Sequence, residues 1–174
     1  MVAKPLMQRV EGRFTLAELL QNWKEAILGC QCSGERIDIV SKWLVMTRAC
    51  VFSMTFFAGM VGLLLAASVA ALMPGFNLLN GILAVVGIVL AHAANNLLND
   101  YFDLEVGLDS SDNYVRAQYA PHPILSGLSS RAEMRNAILL INVVDLAIMI
   151  YLTIQLGWAV IAFALAGLFI SFFY

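Results

Sequence analysis

Four carboxylates, Asp100, Asp103, Glu105 and Asp109, fall within ten residues at the end of a long apolar run, and Asn96 and Asn99 lead into them. On a helix turning about 100° per residue, Asn96, Asn99, Asp100 and Asp103 share an arc of about 100°, and His92 extends that stripe one turn back. Two carboxylates about 6 Å apart repel by roughly 3 kcal/mol at an effective dielectric of about 20. A helix C-terminus disfavours negative charge further. A bound cation relieves both penalties. Oxygen donors without clustered thiols or imidazoles suit Mg²⁺ better than zinc or copper. Mg²⁺ takes few carboxylates and completes its shell with water and substrate phosphate, so a phosphorylated ligand is expected. The alternative is a solvated helix end whose acids mark the water boundary. The asparagines weigh against it, because they carry the polar face inward where solvation does not reach.

The elements that position these groups are membrane helices. The hydrophobic fraction is 61% and the charged fraction 13%, against about 45–50% and about 25% in soluble domains. Spanning a bilayer takes about 20 mostly apolar residues, and four windows are expected to do so, at 49–73, 76–98, 136–155 and 158–174. All ten basic residues precede the first window or lie between the second and third. The positive-inside rule therefore puts both termini and the acidic cluster on the cytoplasmic side of the inner membrane. No basic cluster with interleaved aromatics appears, so nucleic acid is not an expected partner; the lipid bilayer is. Asp145, with Asn142 one turn before it, lies inside the third window, where a carboxylate is costly. It reads either as an interhelical hydrogen bond or as part of an acceptor site.

Ahead of the spans, Leu16, Leu19, Leu20, Trp23 and Ile27 recur at helical spacing behind a Thr15–Glu18 capping box. They predict an amphipathic helix, lying along the cytoplasmic membrane surface with Trp23 near the headgroups or packed on the rest of the protein. Cys30, Cys32 and Cys50 make no disulfide framework. Cys30 and Cys32 fall in the cytoplasmic segment, where thiols are expected to stay reduced, and a lone C-x-C lacks the second pair of a zinc site; Cys50 reads as a small apolar residue in a helix.

The stretch NLLNDYFDLEVGLD resembles the first aspartate-rich motif of the UbiA superfamily of membrane prenyltransferases, and HPILSGLSS resembles the stretch that follows it there. The spacing of Gly107 and Asp109 is similar to the branch containing 1,4-dihydroxy-2-naphthoate polyprenyltransferases, and TRACVFSMT resembles the start of the family's first helix. The resemblance implies an all-α integral membrane bundle. Residues 1–43 would be a cytoplasmic segment with the amphipathic helix, and 44–174 the amino-terminal part of a UbiA-like domain whose second aspartate-rich motif lies in a further half. It implies that Asn99, Asp100, Asp103 and Asp109 hold Mg²⁺. Asn96, Asn99, Arg48, Arg116 and His122 would contact substrate, with Asp100, Asp103 and Arg116 carrying catalysis. His122 stands where the family has arginine, and Ala49 where it has proline. The implied activity is transfer of a polyprenyl group from polyprenyl diphosphate to a naphthoate- or benzoate-like acceptor in quinone biosynthesis. The rivals are a non-catalytic half-protein that binds prenyl diphosphate, and a cation transporter, which would spread its acids through the membrane depth.

Overall fold

The computed structural model describes residues 9–10, 13–34, 36–70, 75–110 and 121–173. In chain order these form β1 (Arg9–Val10), α1 (Leu16–Gly29), β2 (Arg36–Ile37), α2 (Ile39–Met46), a 3-10 turn (Ala49–Val51), α3 (Phe52–Ser68), α4 (Leu78–Glu105), α5 (Arg131–Leu156) and α6 (Ala159–Phe173). Among the described residues, three segments are long and apolar enough to cross a membrane: Ala49–Ser68, Leu78–Glu105 and Arg131–Leu156. The fourth expected span forms a shorter apolar helix, α6, of 15 residues up to the last described one. The two-residue strands pair in parallel, Arg9 with Arg36 and Val10 with Ile37, an addition to the helical expectation.

The chain divides into two compact units, one from residues 1–52 and 96–138, the other from 53–95 and 139–174. In the first, α1 starts at the expected capping box: Thr15 Oγ1 accepts from Glu18 N at 3.3 Å, and Glu18 Oε2 accepts from Thr15 N at 2.7 Å. The helix packs on α2 and the 3-10 turn through a face that buries Asn22 and Ala26. Leu16, Leu20 and Ile27 stay exposed. Trp23 donates from Nε1 to Asp38 Oδ1 at 3.0 Å, so its polar edge is bound to protein. A small core joins Ala26, Cys32, Ile37 and Val45 to Leu128, which comes from the far side of the acidic motif in sequence.

Cys30 and Cys50 form a disulfide with Cα atoms 5.2 Å apart, where the sequence reading leaves both as thiols. The reason is local. Cys30 ends α1 in the left-handed conformation, φ 55°, and α1 lies against the turn that carries Cys50. Cys32 remains a buried thiol, and burial raises its pKa to about 11. α5 begins behind a serine, Ser130 Oγ accepting from Glu133 N at 3.1 Å. Lys42 reaches Glu133 at 2.5 Å and so ties α2 to the start of α5.

In the second unit, α3 and α4 are joined by a hydrogen bond between Thr55 Oγ1 and His92 Nδ1 at 2.6 Å. Gly87 gives α5 its approach to α4, since a Cβ there would stand 3.1 Å from Asp145 Oδ1. Asp145 thus lies against a neighbouring helix, and small residues permit that closeness in membrane helices.

Candidate functional site

Asn77 starts α4 by accepting from Leu79 N at 2.8 Å and Asn80 N at 3.3 Å. The helix then runs unbroken to Glu105. Asn96, Asn99, Asp100 and Asp103 therefore keep one helical phase, as their spacing predicts. Val106 N donates to Phe102 O at 2.9 Å and Gly107 N to Leu104 O at 3.3 Å, closing the helix. Gly107 has φ +77°, a conformation that glycine adopts without a Cβ penalty, and the chain turns back there. Asp109 N then donates to Asp103 O at 3.0 Å. The fourth acid of the motif is brought back beside the helix end.

The result is a compact group in which carboxylate oxygens of Asp100 and Asp109 and a ring nitrogen of His122 lie within 4.8 Å of one another. Asp100 is 2% exposed, and its carboxylate meets the Arg48 guanidinium. Arg48 adopts φ 58°, a left-handed backbone uncommon outside glycine. The residue before it is tied to the same helix, because Asn96 Nδ2 donates to Thr47 O at 2.9 Å. Asn99 and Asp103 are half-buried on this face. Burial lifts the Asp109 carboxyl above its ordinary range, and the Asp103 charge adds to the shift. Arg116 lies outside the described residues.

His122, for which the resemblance implies substrate contact, is the third member of the group. It is 2% exposed. Its Nδ1 accepts from Ile124 N at 3.1 Å and Leu125 N at 3.2 Å, and its Nε2 lies 3.1 Å from the Asp100 carbonyl oxygen. Burial holds the imidazole below its ordinary range. The 3.9 Å approach to Asp109 Oδ2 is then made by a neutral ring and lies beyond hydrogen-bond reach. With the ring committed to the main chain, the groups left for a cation are carboxylates and amide oxygens. That donor set fits a hard divalent ion such as Mg²⁺.

The residues missed by sequence reasoning are the two cysteines and the loop amides of Ile124 and Leu125. No local pattern marks either. No protein-family model matches this chain, and no curated protein or solved structure matches it either.

Proposed function

We propose that this chain carries the aspartate-rich portion of a membrane prenyltransferase domain. It binds the diphosphate of a polyprenyl diphosphate at Mg²⁺ and serves transfer of the prenyl group to a naphthoate- or benzoate-like ring. The observation that carries the reading is the convergence of Asp100 and Asp109 at the end of a helix apolar enough to cross a membrane. A wet helix end has no reason to turn an acid back onto another acid. Asp100, Asp103 and Asp109 would hold the ion, with Asn99 and Asn96 adjoining, and Arg116 would hold diphosphate oxygens as the resemblance implies. The chemistry Mg²⁺ supplies when bound is Lewis-acid relief of the charge that collects on the leaving diphosphate. Arg48 supplies a counter-charge to the Asp100 carboxylate, and the apolar helix walls exclude water from an allylic cation. In this reading four helices span the inner membrane, α6 included, with the site and both termini on the cytoplasmic side.

The test is Mg²⁺-dependent binding of a prenyl diphosphate to the detergent-solubilised chain. Asp103→Asn and Asp109→Asn should each weaken it by tens to thousands of fold. Losing one partner of a buried charge pair costs about 2–5 kcal/mol, at about 1.4 kcal/mol per decade. Glu105→Gln should have little effect, since Glu105 pairs with Arg131 on the exposed side of the helix end. Equal and small effects at all three positions would leave only a solvated acidic helix end.

A further inference from the structure

We propose that His122 is a positioning residue that holds the helix end at Asp100 against the following loop and so fixes where the Asp100 carboxylate stands in the site. This rests on the reading of the Asp100 and Asp109 carboxylates as a cation site. Main-chain N–H groups can only donate, so the two amides on Nδ1, from Ile124 and Leu125, require that nitrogen to present its lone pair. The proton of the neutral ring is therefore on Nε2, and it points at the Asp100 carbonyl oxygen, 3.1 Å away. A carbonyl has two lone pairs, so Asp100 can accept this bond and keep its place in α4. One nitrogen holds the loop and the other holds the helix.

The loop is anchored well enough to act as a fixed point. His122 O accepts from Ser126 N at 3.0 Å and from Ser126 Oγ at 2.6 Å, and Ser129 N donates to Pro123 O at 2.9 Å. Leu128 is buried in the core with Ala26, Cys32, Ile37 and Val45. Five residues on, Glu133 is held by Lys42 at 2.5 Å. The ring thus transmits the position of the amino-terminal core to the main chain of the residue that carries the most buried acid of the site. It also excludes itself as a ligand, having no lone pair left to offer. The site keeps an oxygen-only character although a histidine touches it. Groups that orient ligands in this way commonly change metal affinity about 10–100-fold when removed.

Two substitutions separate the jobs of the two nitrogens. In His122→Asn, the amide oxygen takes the place of Nδ1 and can accept from the loop amides, but nothing reaches Asp100. In His122→Gln, the amide nitrogen reaches the place of Nε2 and can donate to Asp100, but the loop amides lose their acceptor. Mn²⁺ serves as the probe, with affinity read by electron paramagnetic resonance and thermal unfolding measured on the same full-length samples. The expected pattern is crossed. The Asn variant unfolds near the wild-type temperature and binds Mn²⁺ about tenfold or more weakly, whereas the Gln variant unfolds earlier and keeps most of its affinity. An Asn variant with wild-type affinity overturns the positioning role, and so does affinity that follows unfolding temperature in both variants. Asp109→Asn reports on the cation site itself. If wild type binds no Mn²⁺, or Asp109→Asn binds it unchanged, the carboxylate site and the role of His122 both fail.

Discussion

Arg48 and Asp100, 52 positions apart in the sequence, meet guanidinium to carboxylate where the first and second membrane segments approach the site, and both side chains are largely shielded from solvent. Removing one member of such a pair leaves the other charged, buried and unmatched, at a cost of about 3–5 kcal/mol. Replacing both with apolar groups of similar size removes the penalty along with the attraction. Arg48→Met and Asp100→Leu should therefore each lower stability by about that amount in metal-free detergent, and the double variant should recover most of it. Denaturant unfolding of the four proteins checks this. Additive losses in the double variant would mean that the contact contributes no coupling.

The disulfide between Cys30 and Cys50 closes a loop over a sequence separation of 20, which in the chain-entropy account stabilises by about 3 kcal/mol. It ties the end of α1 to the turn just after Arg48. Reduction by a dithiol, or Cys30→Ser, should lower the unfolding midpoint followed through Trp23 fluorescence, and reduction should not affect the Ser variant further. If reduced and oxidised protein unfold together, the cross-link does not hold this unit. The two cysteines would then behave as the ordinary thiols that cytoplasmic chemistry favours.

The acidic face of α4 was legible because helical periodicity is local. Asn96, Asn99, Asp100 and Asp103 needed only an unbroken helix to align, and the helix runs through all of them. The capping box that starts α1 was legible for the same reason. Arg48 was visible as a charge at the head of a span, but its partner lies 52 positions away, and nothing nearby names it. His122 carried only the substrate contact that the resemblance implies, at a position where the family has arginine. Its burial follows from Leu128 entering a core built by residues 26 to 45, a tertiary event with no local signature. Cys30 was read by compartment and Cys50 as a small apolar helix residue, whereas their pairing follows from how α1 ends.

Asp38 gives the amino-terminal unit a predictable acid limit. Its carboxylate caps α2, accepting from Val40 N at 2.9 Å, Ser41 N at 3.0 Å, Ser41 Oγ at 2.6 Å and Trp23 Nε1 at 3.0 Å. Burial alone would raise its pKa, but the hydrogen bonds from Ser41, Trp23 and Val40 outweigh it and hold the group below its ordinary 3.8. A carboxyl depressed by folding contributes its full stability above the unfolded value and loses it as pH falls through the folded one. Trp23 fluorescence should therefore report a midpoint that this group leaves unchanged above about pH 5 and that declines below about pH 4. Asp38→Asn keeps a good cap without a titrating group, so its acid decline should be shallower. Identical acid limbs would assign the decline to other carboxylates.

Orientation is predicted by the basic residues, which all lie before the first span, between the second and third, or in the first turns of the third. Basic side chains near span ends are retained on the cytoplasmic side during insertion, and acidic residues contribute little to that choice. Asn77 lies at the start of α4 and Ser110 just beyond its other end, so the long helix between them should put these positions on opposite faces of the membrane. In a background with the native cysteines replaced by serine, Asn77→Cys should react with an impermeant maleimide in intact cells. Ser110→Cys should react only after the membrane is opened. The site would then face the cytoplasm, where Mg²⁺ and water-soluble aromatic acids are available to it. Reaction of Ser110→Cys in intact cells would reverse the orientation and put the carboxylates outside. It would also move Cys30 and Cys50 to a compartment in which a standing disulfide is ordinary.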